Sequence, residues 1–123
     1  MPKRILVADD SVTVRAIIRT FLERRAGFEV CGEAVDGVDA IEKAKELKPD
    51  LIILDLAMPR MNGAAAGSVL KRLMPKVPVI LFTMYDEAVG KLLASAIGVD
   101  VILSKPDGMG RMVEHAKRLL GAA

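Results

Sequence analysis

The sequence predicts an α/β fold in which a doubly wound parallel sheet is covered by helices on both faces. Short aliphatic runs alternate, five times over, with segments whose apolar residues have helical spacing. Four of the five runs are almost continuously apolar, as is typical of parallel strands that are buried on both sides. The length of 123 residues suits one domain over residues 1–123.

Five strands are predicted from apolar runs that stop at acids or turn-forming residues. The first run ends in two acids, the second precedes an Asp-Gly pair, and the third ends in an acid followed by a Met-Pro step. The second run has the pattern of a half-buried strand. The five strands are expected at residues 3–8, 28–34, 51–54, 78–83 and 100–104.

Five helices are predicted where apolar residues recur three and four positions apart. Gly27 after the first helix and Pro49 after the second are typical of helix ends. The defining apolar residues are, in chain order, Val14, Ile17, Ile18, Phe21 and Leu22; Ala40, Ile41, Ala44 and Leu47; Ala66, Val69, Leu70 and Leu73; Val89, Leu92, Leu93, Ala96 and Ile97; and Met109, Met112, Val113, Ala116, Leu119 and Leu120.

Composition and charge argue against several classes of protein. A hydrophobic content of 52% argues against disorder, and a net charge of +2 is too balanced for nucleic-acid or membrane-surface binding. The single cysteine, Cys31, is expected in the core, and with no signal-peptide pattern it favours a cytoplasmic location. The basic residues of the first helix are expected on its solvent side; they are Arg15, Arg19, Arg24 and Arg25.

Chemically active residues cluster where the predicted strands end, and this edge is the usual binding site of a doubly wound sheet. These residues are Asp9 and Asp10 after the first strand, Asp55 after the third, Thr83 in the fourth, and Ser104 and Lys105 at the fifth. Three carboxylates in one place repel each other unless a cation lies among them, and an oxygen-only ligand set favours Mg²⁺. Together with a lysine, such a site suits phosphoryl transfer.

The segments VADDS, LIILDLAMPRMNG, ILFT and LSKP together resemble the receiver domains of two-component response regulators, over essentially the whole chain. The resemblance implies a flavodoxin-like (βα)5 three-layer sandwich with sheet order 2-1-3-4-5. It also implies a phosphorelay protein, either a stand-alone regulator of the chemotaxis type or part of a longer regulator. Asp55 would then be the phosphoacceptor, and Mg²⁺ would be held by Asp9, Asp10, Asp55 and the carbonyl of Ala57.

The resemblance implies two further site residues and a set of partners. Thr83 would bond a phosphoryl oxygen and Lys105 would pair with the phosphoryl group, with a cis peptide before Pro106. The phosphoryl donor would be a sensor histidine kinase or a phosphotransfer protein. The phosphorylated domain would bind a downstream protein or a second copy through the fourth helix, fifth strand and fifth helix. It would be a signalling phosphoacceptor and not an enzyme, capable only of self-directed phosphotransfer and autodephosphorylation.

Two positions depart from the receiver pattern, and they leave alternatives open. Ile102 stands where receivers usually carry Tyr or Phe, and Met84 stands where they favour a small residue. One alternative is therefore a pseudo-receiver that binds partners without phosphorylation. A haloacid dehalogenase-type phosphatase is a weaker alternative, because it would need an acid at Ala57.

Overall fold

The computed structural model describes residues 2–83, 98–99, 101–104 and 109–121, without the side chains of residues 83, 101–104 and 109. The strands are β1 (Arg4–Ala8), β2 (Glu29–Ala34), β3 (Leu51–Asp55), β4 (Val79–Thr83) and β5 (Val101–Ser104). The helices are α1 (Val12–Ala26), α2 (Gly37–Leu47), α3 (Gly63–Leu73) and, at the C-terminal end, α4 (Met109–Leu119). The helix predicted around 89–97 lies outside the described residues. No helix in the described ranges is long and apolar enough to cross a membrane.

The five strands form one parallel sheet in the order β2-β1-β3-β4-β5, which confirms the predicted fold class and strand order. The chain runs β1-α1-β2-α2-β3-α3-β4, so strands that follow each other in this part of the chain are joined through a helix. All the strands therefore point their carboxyl ends to one edge of the sheet. This edge is where the sequence places its acids.

Alternate residues of β1 and β3 supply two separate aliphatic cores. Ile5 and Val7 face the core shared with α1 and α4, whereas Leu6 and Ala8 face the core shared with α2 and α3. Nearly all of these side chains are fully buried, and each large one contributes about 1.5–3 kcal/mol of hydrophobic free energy. Burial on both faces makes the strands rigid supports for the residues at their ends. Cys31 is half-buried in β2, so the prediction that it is a core residue is wrong.

The helices begin beside the strand ends, and each N-terminus is fixed by a side-chain cap. Ser11, Asp36 and Asn62 are the N-caps of α1, α2 and α3, and each accepts a hydrogen bond from a backbone N–H three residues later. At the far end of α1, Gly27 adopts a left-handed conformation with φ of 66° and stops the helix, as predicted. These caps therefore fix the residue at which each of the three helices begins.

Candidate functional site

The structure brings the three predicted acids together at the carboxyl edge of the sheet. Ala8 of β1 pairs with Leu54 of β3, so the next residues, Asp9 just after β1 and Asp55 at the end of β3, lie side by side. One carboxylate oxygen from each of Asp9, Asp10 and Asp55 lies within 4.8 Å of the other two. Asp9 and Asp55 are only 1% and 3% exposed, whereas Asp10 is exposed. The cluster thus has two buried acids and one that faces solvent.

Local hydrogen bonds fix the geometry of Asp9. Its backbone N–H donates to the carbonyl of Ala34 in β2 at 3.0 Å, which continues the β1–β2 pairing past the end of the strand. The Ser11 N–H donates to Asp9 Oδ1 at 2.8 Å, and Ser11 is itself the N-cap of α1. The start of α1 and the carboxylate of Asp9 are therefore held as one unit.

The loop after Asp55 is closed by a very short approach of α3 to β3. The Gly63 N–H donates to the Leu56 carbonyl at 2.9 Å. A Cβ on Gly63 would lie 2.2 Å from the carbonyl oxygen of Asp55 and 2.9 Å from the Leu56 Cα. Only glycine allows this approach. Ala57 lies within this loop as an exposed residue.

A second contact ties the same loop to the start of α2. Arg60, whose φ of 62° is unusual for a residue with a side chain, places its Nη2 2.6 Å and its Nε 2.7 Å from Oδ2 of the buried Asp36. The Gly37 N–H donates to the Met61 carbonyl at 2.9 Å. The hydrogen bond from the Asp39 N–H, supported by Arg60, lowers the pKa of Asp36 below its ordinary value. The Asp36-Gly37 pair by itself predicts only a turn, whereas the Asp-x-x-Asp pattern before an apolar helix is the signal for the capping role of Asp36.

Arg15 corrects the prediction that all four arginines of the first helix lie on its solvent side. Its side chain is only 12% exposed, and its Nε lies 2.8 Å from Glu33 Oε1. Its Nη1 donates to the backbone carbonyl of Asp9 at 2.6 Å. Partial burial raises the pKa of Glu33, but hydrogen bonds from Arg19 and Arg15 outweigh this effect and bring the pKa below its ordinary value. No sequence pattern separates Arg15 from the other arginines of α1.

The remaining predicted site residues lie at the ends of β4 and β5. Thr83 closes β4 and pairs with Ser104 of β5, while its neighbour Phe82 pairs with Asp55. The backbone of Thr83 is thus one residue beyond the level of Asp55 on the adjacent strand; its side chain is outside the described residues. Lys105, with Met84 and Pro106, also lies outside them. Ile102 pairs with Leu81 inside the sheet, and its side chain is not among those described.

The donor set fits a magnesium ion. Within the described ranges, the cluster offers carboxylate oxygens only, with no imidazole or thiolate, and its ligand atoms are close enough to share one ion. Mg²⁺ prefers such hard oxygen ligands and keeps several waters, which the exposed side of the cluster at Asp10 allows. A divalent cation would also relieve the repulsion among three neighbouring carboxylates.

The chain belongs to the response regulator receiver domain family, whose sequence model matches residues 5–117. Receiver domains are the phosphoaccepting modules of two-component signalling. Among solved structures, the receiver domain of CheB from Thermotoga maritima superposes with a TM-score of 0.88 at 28% identity, covering 100% of this chain and 99% of that one. A LuxR-family response regulator from Aurantimonas superposes with a TM-score of 0.90 at 27% identity, covering 98% and 86%.

Relatives in sequence include both short and long proteins. The chemotaxis protein CheY of Thermotoga maritima is 35% identical over 119 residues, which are 97% of this chain and 98% of CheY. The response regulator VraR of Staphylococcus saprophyticus is 37% identical over 96% of this chain but only 56% of VraR. A protein-glutamate methylesterase/protein-glutamine glutaminase of Nocardioides is 35% identical over 95% of this chain and 33% of that protein. The chain is therefore similar to one whole relative and to a part of the other two.

Proposed function

We propose that residues 1–123 form one receiver domain that accepts a phosphoryl group on Asp55 in a Mg²⁺-dependent reaction. The observation that supports this proposal is the convergence of Asp9, Asp10 and Asp55 within 4.8 Å at the carboxyl edge of the sheet. The donor is a phosphohistidine of a sensor histidine kinase or a phosphotransfer protein, as membership of the receiver family suggests.

In the proposed reaction, a carboxylate oxygen of Asp55 attacks the phosphorus atom while the phosphorus–nitrogen bond of the donor breaks. The imidazole nitrogen keeps the bonding electron pair and the product is an acyl phosphate on Asp55. Asp9, Asp10, Asp55 and the carbonyl of Ala57 would hold Mg²⁺, which when bound neutralises charge on the transferring group. Because β3 is buried on both faces, Asp55 loses little freedom when it reacts.

Two residues at neighbouring strand ends complete the proposed site. The Lys105 ammonium would pair with the phosphoryl oxygens, which lowers the charge repulsion that a carboxylate nucleophile meets. The Thr83 hydroxyl would hydrogen-bond to a phosphoryl oxygen after transfer. Because this bond exists only in the phosphorylated state, it can shift a conformational equilibrium. Slow self-hydrolysis of the acyl phosphate would reset the switch, with no second substrate turned over.

The output of the switch is proposed to be a protein contact. The predicted fourth helix, together with β5 and α4, would bind a downstream protein or a second copy of the chain. A full-length match to CheY and partial matches to VraR and a methylesterase are compatible with either a free domain or one part of a longer regulator. The protein would act in the cytoplasm, without binding membrane or nucleic acid directly.

Phosphopeptide-resolved mass spectrometry tests this proposal. The protein is mixed with candidate sensor kinases, ATP and Mg²⁺, in parallel with Asp55→Asn and with Glu46→Gln, which removes an exposed acid of α2. Wild type and Glu46→Gln should carry an acid-labile phosphate on residue 55, and Asp55→Asn should carry none. Undiminished labelling of Asp55→Asn would show that the acceptor is another residue. Wild type that neither accepts phosphate nor binds beryllofluoride, a phosphoryl mimic, would instead be a phosphorylation-independent binding module.

A further inference from the structure

Arg15 makes two directed hydrogen bonds that link the acidic cluster to strand β2. Its Nη1 donates to the carbonyl of Asp9 at 2.6 Å and its Nε donates to Glu33 at 2.8 Å. An arginine one turn into a surface helix is usually solvated, but this side chain is largely buried. Burying a guanidinium is unfavourable unless its charge is paired, so the hydrogen bonds to Glu33 and to the Asp9 carbonyl define the position of the Arg15 side chain.

The bond to the Asp9 carbonyl controls the link between two of the proposed metal ligands. The carbonyl of Asp9 and the nitrogen of Asp10 belong to one planar peptide unit. Holding this carbonyl therefore sets the direction in which Asp10 leaves β1. The Asp9 N–H is held at the same time by Ala34, the neighbour of Glu33 in β2. The N–H of Asp9 is thus bound directly to β2, and its carbonyl is connected to β2 through Arg15 and Glu33.

Arginine suits this position because its donors are arranged in a rigid fork. Nε and Nη1 reach two different acceptors at once, whereas lysine has a single nitrogen on a flexible stem. A positive charge near a magnesium site would normally oppose the ion. The Glu33 carboxylate, which also binds Arg19 at 2.7 Å, balances that charge.

We propose, on the basis of the proposed function, that Arg15 is a positioning residue for the magnesium site. It orients the Asp9–Asp10 peptide so that both carboxylates face Asp55, and Glu33 orients Arg15 in turn. Arg15 touches neither the ion nor the phosphoryl group. It acts only through the main chain of Asp9.

The test compares Arg15→Gln and Arg15→Lys with Arg19→Gln. In the described part of the chain, the side-chain hydrogen bonds of Arg19 go to Glu33 Oε2 and to Glu23, so Arg19→Gln removes these bonds and leaves the bond between Arg15 and Glu33 Oε1 in place. Mg²⁺ affinity is measured by isothermal titration calorimetry. Both Arg15 variants should bind Mg²⁺ about 10-fold more weakly, the lower end of the range for residues that orient metal ligands, and Arg19→Gln should bind as wild type does.

A second readout needs no metal. The Ser11 N–H, which donates to Asp9 Oδ1, reports the arrangement of Asp9, and its hydrogen exchange in the Mg²⁺-free protein should accelerate in both Arg15 variants but not in Arg19→Gln. Unchanged exchange and affinity in Arg15→Gln would overturn the inference. The inference would also be overturned if Arg15→Lys bound Mg²⁺ with wild-type affinity and Arg15→Gln bound it more tightly, because the charge of residue 15 alone would then determine the affinity. If wild type binds no Mg²⁺, the proposed function fails; if it binds and the variants do not differ, only this inference fails.

Discussion

Replacement of Gly63 by alanine should damage both the stability of the fold and the geometry around Asp55. Gly63 is the first residue of α3, and an added Cβ would lie 2.2 Å from the Asp55 carbonyl oxygen and 2.9 Å from both the Asp55 carbonyl carbon and the Leu56 Cα. All three atoms belong to the main chain. No side chain can turn aside to make room, so either α3 or the end of β3 must move.

The expected loss of stability follows from two opposing effects. Overpacking in a well-packed interior typically costs about 1–3 kcal/mol, and contacts with the main chain of a buried strand place Gly63→Ala at the upper end. Alanine gains up to about 1 kcal/mol over glycine as a helix former. The net destabilisation should therefore be about 2 kcal/mol. Gly110→Ala is the matched control, because Gly110 lies in α4 and, among the described residues, nothing outside the local helix backbone comes within 4 Å of an added Cβ.

Urea unfolding followed by circular dichroism measures this difference. A loss of about 2 kcal/mol should lower the midpoint by roughly 1 M urea, since domains of this size lose about 1–3 kcal/mol of stability per molar urea. Gly110→Ala should unfold at the wild-type midpoint or slightly above it. Amide resonances of Asp55 and Leu56 should shift in Gly63→Ala alone. A Gly63→Ala protein as stable as wild type, with these resonances unmoved, would refute the reasoning about close approach.

Three further predictions concern charge and switching. Asp10→Asn should stabilise the Mg²⁺-free protein by roughly 1 kcal/mol, because it relieves repulsion within the acidic cluster. The same substitution should weaken the stabilisation of the protein by added Mg²⁺. Thermal unfolding with and without Mg²⁺ measures both effects, and a metal-free variant less stable than wild type would contradict the expectation. The pKa of Asp36 is lower in the folded protein than its ordinary value of 3.8, so its contribution to stability is complete above that value and is lost as the pH falls through the lowered pKa. Acid unfolding should therefore be less steep in Asp36→Asn, which keeps an N-cap but loses the ion pair with Arg60; an identical acid limb would contradict this. Thr83→Ala should still accept phosphate but show smaller amide shifts with beryllofluoride, and a complete loss of phosphorylation would contradict the role proposed for Thr83.

The fold and the acidic cluster could be predicted from the sequence because both depend on short-range patterns. Each aliphatic run is long enough for one strand and is followed by residues that stop it, and a parallel sheet then places all strand ends at one edge. Asp9, Asp10 and Asp55 had to meet there once the strand order put β1 beside β3.

The contacts of Arg15 with Glu33 and of Arg60 with Asp36, which support the site, could not be predicted. Each joins two segments that no sequence motif links. Arg15 looks like any other basic residue of an amphipathic helix, and only the position of Glu33 across β2 distinguishes it. Arg60 and Asp36 meet because the loop after β3 packs against the loop before α2. The conformations of these two loops do not follow from the sequence. Such pairings depend on side-chain direction as well as strand order, and a single sequence does not specify these directions.

The register of β1 against β3 is fixed by polar contacts at the start of the two strands. A slip by one residue would send each side chain to the opposite face, yet both faces are apolar, so hydrophobicity alone resists the slip weakly. At the start of the strands, the Arg4 N–H donates to the Asp50 carboxylate at 2.8 Å and the Asp50 N–H donates to the Arg4 carbonyl at 2.7 Å. A slip would break this reciprocal pair and would move Asp55 about 3.3 Å along the sheet relative to Asp9. The contacts that fix the register at one edge of the sheet therefore also hold the acidic cluster together at the other.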